Sequence, residues 1–115
     1  MDMAGIVYLI CDPQTETYKI GVTKRDIKTR LNELQTGNSA QLFVVHTYKC
    51  DDPYGLETML HRRFSPKGAL NEWFSLDSDD VSGFIETCKK TEEIIKSLSD
   101  NVFFAKGRKR KTELI

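Results

Sequence analysis

The chain has 115 residues, of which 39% are hydrophobic and 30% are charged, so it has room for one folded domain with its own core. Its 17 basic and 17 acidic residues cancel, which at face value argues against a nucleic-acid-binding protein. The charge is unevenly spread, however. Five basic residues and one acid lie between Lys19 and Arg30, and residues 106–115 again hold five basic residues and one acid.

Two further features exclude membrane and secreted classes. No apolar run approaches the roughly 18 residues that span a bilayer, and the N-terminus lacks the pattern of a signal peptide. The three cysteines, Cys11, Cys50 and Cys88, lie far apart and form no C-x-x-C motif, so we expect reduced thiols rather than a zinc site. The composition therefore predicts an intracellular protein, in the cytoplasm or nucleus of a cell or host, with no membrane partner.

The chain begins with two segments that are typical of a β-hairpin. Residues 5–11 (GIVYLIC) and residues 17–23 (TYKIGVT) are rich in β-branched and aromatic side chains, and the intervening DPQTE contains turn-forming residues. A short amphipathic helix is predicted next, with Asp26 as its N-cap and Gly37 as its stop.

The middle of the chain predicts a third strand and a second helix. Residues 42–49 (LFVVHTYK) are strand-like, and Pro53 opens a helix whose apolar stripe includes Leu56 and Leu60. Residues 65–71 (SPKGALN) are expected to form a loop.

The last part of the ordered chain is the most periodic. Residues 72–76 (EWFSL) predict a short extended or helical piece whose two aromatic residues close the core. A helical stripe then runs from Val81 to Leu98, with Asp79 or Asp80 near the N-cap. This helix is expected to join the core or to form the seam of a homodimer.

These elements predict an α/β (α+β) domain of order β-β-α-β-α-α, in which helices flank a small three-stranded, mainly antiparallel sheet. The domain would occupy residues 1–98, and residues 99–115 would form a basic, flexible tail. The tail sequence GRKRK fits a non-specific DNA-binding arm, a nuclear-import signal or a solubilising end.

The order of several motifs resembles that of the GIY-YIG nuclease superfamily: GIVY and KIG come first, then Arg30 in the first predicted helix, Glu57 in the second, and Asn71 after it. The closer resemblance is to its phage and large-virus branch, which carries YKIG, then the pattern RDxxxRxxELQTG, and later EWF. Here these stretches read YKIGVTKRDIKTRLNELQTG from residue 18 and NEWFSL from residue 71. The resemblance covers about residues 5–85, nearly the whole predicted domain.

The resemblance implies a metal-dependent nuclease that hydrolyses a DNA phosphodiester bond. In that family a glutamate holds one divalent cation, an arginine binds the phosphate, and tyrosines position or deprotonate the attacking water. These residue types suit the reaction, because a guanidinium and a cation stabilise the charge that develops on the phosphorus centre. An oxygen ligand suits Mg²⁺, or Mn²⁺ in its place.

The resemblance assigns roles to individual residues of this chain. Tyr8 matches the tyrosine of the first tripeptide, Arg30 the phosphate-binding arginine, and Glu57 the metal-binding glutamate. Asn71 lies where the late asparagine of the family falls and would contact substrate. His61, one helical turn after Glu57, would assist as a proton donor or phosphate contact unless it is a surface histidine.

Two departures from the family pattern affect the first two strands. Ile6, rather than glycine, lies two residues before Tyr8, and Gly5 is displaced by one. Lys19 occupies the position of the second tyrosine, and Tyr18 precedes it. Because neighbouring strand residues point to opposite faces, either Lys19 takes part in catalysis or a register shift lets Tyr18 serve.

The basic residues Lys24, Arg25 and Lys28 are candidates for steering DNA phosphates towards the site, although a solvated helix face would look the same. We therefore predict a small endonuclease that cuts DNA. The alternative is a catalytically degenerate nucleic-acid-binding module with the same fold, which the missing second tyrosine favours. A third possibility is an interaction protein that dimerises through its last helix.

Overall fold

The structure is a computed structural model that describes residues 4–100, with residues 69, 70, 99 and 100 described by their backbone only. The strands are β1 (Gly5–Asp12), β2 (Thr17–Thr23), β3 (Phe43–Cys50), β4 (Gly68–Leu70) and β5 (Trp73–Phe74). The helices are α1 (Ile27–Thr36), α2 (Pro53–Arg63), α3 (Ser78–Ser82) and α4 (Phe84–Asp100), and a 3₁₀ turn spans Ser65–Lys67. The predicted tail lies almost wholly outside the described residues.

The strands form one antiparallel sheet in the order β3-β1-β2-β5-β4. The predicted α+β class and the predicted hairpin are confirmed, but the sheet has five strands rather than three. The stretch predicted to be a loop contains the 3₁₀ turn and β4, and the EWF segment contributes β5. These two short strands form a second hairpin because Asn71 and Glu72 both have positive φ, 50° and 72°, as in a two-residue type I′ turn.

Each face of the sheet is covered by a different set of helices. Val7, Leu9 and Ile20 point to the face on which α2 and α4 pack, and they form the larger core. Tyr8 and Ile10 alternate to the other face and form a smaller core with the apolar side of α1 and with Trp73. Period-two alternation along β1 therefore separates the two cores.

The helix ends differ in part from those predicted. Asp26 is at the N-cap of α1 and Gly37 at its C-cap, although the Asp26 side chain makes no capping hydrogen bond. The last helical stretch is divided at Gly83 into α3 and α4, and its N-cap is Asp77 rather than Asp79 or Asp80. Asp80 is instead the reciprocal partner of Asp77 in a capping box.

None of the helices within residues 4–100 has the length and apolarity needed to cross a membrane.

Candidate functional site

The site is built around Tyr8, whose side chain crosses from β1 onto β2. Tyr8 pairs with Gly21 across the hairpin, and a Cβ atom added at Gly21 would lie 2.3 Å from the phenol oxygen. The absence of a side chain at Gly21 therefore makes room for the ring. Tyr8 is fully buried, and burial raises the pKa of its phenol, against the opposing influence of Arg30.

Arg30 lies above the Tyr8 hydroxyl and is held from two sides. Its Nε donates to the Tyr8 hydroxyl oxygen at 3.1 Å, and its Nη1 donates to Glu33 at 3.2 Å. The hydrogen bond to Tyr8 is the main reason that the pKa of Arg30 is raised. About a third of the Arg30 side chain remains exposed, so Tyr8 and Glu33 hold the side chain in place while part of it stays accessible to solvent.

Glu33 also binds a second guanidinium, that of Arg25, at 2.7 Å from both carboxylate oxygens. Hydrogen bonds from Arg25 and then Arg30 lower the pKa of Glu33. One carboxylate therefore orders two arginines at the start of α1. Glu33 is not among the residues predicted from the sequence, although its position three residues after Arg30 is a signal for such a pair.

Lys19 and Tyr18 lie on opposite faces of β2. Lys19 pairs with Ile10 and so shares the face of Tyr8, where its side chain is only 10% exposed. Its Nζ lies 3.6 Å from Glu72 and 5.8 Å from the centre of the Trp73 ring. Tyr18 packs against the larger core on the other face. The structure therefore brings Lys19, and not Tyr18, to the side of the sheet that holds Tyr8 and Arg30.

Tyr18 instead lines a separate cavity of about 500 Å³, together with Cys11, Leu76 and Asp77 among others.

Glu57 and His61 project from α2 towards the turn that carries Glu72. Each of the three side chains offers one ligand atom, and these atoms lie within 4.8 Å of one another. Burial raises the pKa of Glu57, and the charge of Glu72 adds to that rise, whereas His61 and Lys19 oppose it. Glu72 was not predicted as a site residue, because its positive φ of 72° is not visible in a residue pattern.

The orientation of His61 follows from its backbone partner. Its Nε2 lies 2.8 Å from the carbonyl oxygen of Ile20, just beyond the two residues through which β2 pairs with β5. Since a carbonyl only accepts hydrogen bonds, Nε2 carries the proton and Nδ1 is the basic nitrogen of the neutral ring.

The other predicted substrate-binding residues are exposed and contribute no ligand atom to the group of Glu57, His61 and Glu72. Lys24 is exposed with its Nζ 5.8 Å from the Tyr54 ring centre, and Lys28 is exposed on α1. Arg25 is bound to Glu33, as described above. Asn71 is exposed at the turn between β4 and β5, where its backbone conformation shapes the turn that presents Glu72.

The site therefore combines six side chains from five elements or turns of the fold: Tyr8, Lys19, Arg30, Glu57, His61 and Glu72. The charges are coupled across it, because Arg30, Glu72 and Glu57 all act electrostatically on Tyr8. We call this set of six residues the candidate site.

Comparison with known proteins identifies the family of this chain. The family model of the T5orf172 domain matches residues 5–96, which include every residue of the candidate site. Neither the curated proteins nor the solved structures provide a match. The chain belongs to the T5orf172 domain family, a GIY-YIG-related, nuclease-like family of phage origin.

Proposed function

We propose that the protein is a divalent-metal-dependent endonuclease that hydrolyses DNA phosphodiester bonds. Family membership supports this function, and one structural observation indicates which residues would perform it. Arg30, bonded to Tyr8 at 3.1 Å, lies on the same face of the sheet as Lys19, and Glu72 connects Lys19, its ion-pair partner, with Glu57, which α2 carries. A phosphate-binding cation and a candidate metal ligand are thus presented together, as phosphodiester hydrolysis requires.

The residues present fit a divalent cation. Glu57 is a partly buried carboxylate with a second carboxylate and an imidazole close by, which are ordinary ligands of such ions. A Mg²⁺ or Mn²⁺ ion held there would supply Lewis-acid stabilisation of the reacting phosphate.

The protein side chains would bind and orient the substrate. The exposed part of the Arg30 guanidinium would donate hydrogen bonds to a phosphate of DNA, and Glu33 would keep the guanidinium in place. Because Tyr8 has no exposed surface and its pKa is raised, we assign its hydroxyl to holding Arg30 rather than to deprotonating water. Lys19, at the position of the family's second tyrosine, would contact the phosphate or the attacking water.

The central experiment measures nicking of supercoiled plasmid DNA with Mg²⁺ and with Mn²⁺. Glu57→Gln and Arg30→Ala should each lower the rate by about 100-fold or more, the usual effect of removing one transition-state contact. Glu86→Gln, which changes an exposed glutamate on α4, should cleave like the unmodified protein. Equal nicking by all four proteins would contradict the proposal.

The two tyrosines provide a sharper comparison. Tyr8→Phe removes the acceptor of the Arg30 hydrogen bond and should slow nicking by about tenfold, which corresponds to about 1.4 kcal/mol. Tyr18→Phe should have little effect, because Tyr18 packs against the larger core and is not one of the six residues of the candidate site. A larger effect at Tyr18 would show that the reactive centre lies elsewhere.

A second candidate function is a nucleic-acid-binding module without cleavage. It is favoured by Lys19, which replaces the second tyrosine and whose ammonium is ion-paired with Glu72 at 3.6 Å. Salt-sensitive DNA binding without nicking under any divalent cation would support this function over the nuclease.

A further inference from the structure

We propose that Glu57, His61 and Glu72 together form one cation site, and that this three-residue site selects Mn²⁺ over Mg²⁺. The inference rests on the proposed function and adds two ligands, His61 and Glu72, to the single glutamate implied by the family resemblance.

The geometry supplies three ligand atoms from two sides. Glu57 and His61 lie one helical turn apart on α2, and Glu72 faces them from the turn between β4 and β5. All three ligand atoms lie within 4.8 Å of one another, so small side-chain movements would bring them to one ion. Two of the three residues are only partly exposed, so the site is sheltered rather than spread over the surface.

The orientation of His61 is that of a metal-binding histidine. Such histidines donate one ring N–H to a carbonyl or carboxylate, which fixes the ring and leaves the other nitrogen to bind the metal. The hydrogen bond from His61 Nε2 to the Ile20 carbonyl, 2.8 Å long, provides the first part of this arrangement. Nδ1 is then the nitrogen that can coordinate.

The ligand set also indicates which cation fits. Mg²⁺ prefers an all-oxygen shell and keeps most of its waters, whereas imidazole is a better ligand for first-row transition ions. Two carboxylates and one imidazole therefore suit Mn²⁺ better than Mg²⁺.

The charge balance leaves room for a divalent ion. Two carboxylates face one ammonium, that of Lys19, so the group carries one uncompensated negative charge. A divalent cation would reverse this to one positive charge, and a phosphodiester, which is a monoanion, would neutralise it.

Glu72 also occupies a backbone conformation that a glutamate rarely adopts. Its φ is 72°, at the second turn position where glycine is preferred. Glycine at this position would therefore remove the carboxylate and relieve the backbone in one step, which separates the effect on metal binding from the effect on folding.

The test measures Mn²⁺ and Mg²⁺ affinity of the full chain by isothermal titration calorimetry, with Mn²⁺ electron paramagnetic resonance as a second readout. Unmodified protein should bind Mn²⁺ at least tenfold more tightly than Mg²⁺. Glu72→Gln and Glu72→Gly should both weaken Mn²⁺ binding at least tenfold. Glu72→Gly should nevertheless unfold at a higher temperature than Glu72→Gln, because only glycine relieves the backbone. His61→Asn should lower Mn²⁺ affinity more than Mg²⁺ affinity.

The matched control is Glu16→Gln. Glu16 is also a glutamate with positive φ, 57°, in the turn between β1 and β2, and it is no part of the three-residue site. Its substitution should leave Mn²⁺ affinity unchanged. Unchanged Mn²⁺ affinity in both Glu72 variants, or tighter binding of Mg²⁺ than of Mn²⁺ by the unmodified protein, would overturn the inference.

The plasmid assay distinguishes failure of this inference from failure of the proposed function. Glu72-dependent Mn²⁺ binding without nicking would uphold the metal site and refute the nuclease. Nicking that depends on Glu57, together with Mn²⁺ affinity that is unchanged in the Glu72 variants, would uphold the nuclease and overturn the three-residue site.

Discussion

Gly21 shows how one residue can determine the geometry of the candidate site. The Tyr8 ring lies across β2 where Gly21 has no side chain, and an added Cβ would approach the Tyr8 oxygen to 2.3 Å. Since Tyr8 is fully buried, the ring cannot simply swing into solvent. The position of the hydroxyl that holds Arg30 therefore depends on a hydrogen atom in place of a methyl group.

We expect Gly21→Ala to destabilise the protein by about 1–3 kcal/mol, the usual cost of overpacking a filled core. Urea unfolding would measure this decrease in stability. Gly37→Ala is the control, because an added Cβ there meets nothing within 4 Å. Equal stability of the two variants would show that Tyr8 relaxes away from Gly21 without cost.

At the scale of elements, α2 carries Glu57 and His61, and its start is fixed by a side-chain cap. Asp52 accepts a hydrogen bond from the backbone N–H of Gly55 at 3.1 Å, and Pro53 occupies the first turn, where its missing N–H costs nothing. By contrast, Asp26 at the start of α1 makes no such side-chain bond. The two aspartates thus have the same sequence position relative to a helix and different contacts.

This difference in capping predicts a difference in stability between two variants. Asp52→Ala should lower the free energy of unfolding by about 1 kcal/mol, the typical effect of removing an N-cap side chain. Asp26→Ala should cost distinctly less, because no capping bond is removed. Urea unfolding of both variants tests the contrast, and equal decreases would mean that the Asp52 cap contributes nothing specific.

The contacts of Asp77 at the start of α3 predict that the stability of the protein depends on pH. The backbone N–H of Asp80 and then the ammonium of Lys67 lower the pKa of Asp77. A carboxyl whose pKa is lowered on folding stabilises the fold above its unfolded pKa, near 3.9, and this stabilisation disappears as the pH falls through the folded pKa. Thermal unfolding temperatures should therefore decline below about pH 4, and Asp77→Asn should show a shallower decline. Superimposable pH profiles would contradict this prediction.

How far the sequence predicts these elements depends on whether the signal is local. The first hairpin, Gly37 as a helix stop and Pro53 as a helix start all carry local signals, and the structure confirms them. The hairpin of β4 and β5 was not predicted because its strands span three and two residues and Glu72 stands where glycine would mark the turn. Five of the six residues of the candidate site were candidates from the sequence, and Glu72 was missed for the same reason: it reaches Lys19 through this hairpin, a contact that no spacing reveals.

At the scale of the whole molecule, a net charge of zero is compatible with a DNA substrate because the charges are sorted by location. Lys24, Arg25, Lys28 and Arg30 follow one another in the segment that ends β2 and begins α1, and Lys24 and Lys28 are exposed there, whereas α4 packs against β3 and α2. A neutral protein whose basic residues are grouped rather than spread over its surface should bind DNA weakly and through few phosphates, which suits the proposed nuclease because it must release its product.

The dependence of DNA affinity on salt tests this charge arrangement. Removing one cation that binds a phosphate should reduce the slope of log affinity against log salt by about 1, so the double variant Lys24→Gln, Lys28→Gln should reduce it by about 2. The matched control is Lys89→Gln, Lys90→Gln, which removes the same charge from exposed positions on α4. Fluorescence anisotropy with a short duplex at several salt concentrations measures both slopes. Equal reductions would mean that DNA affinity responds to the total charge of the protein and not to Lys24 and Lys28 in particular.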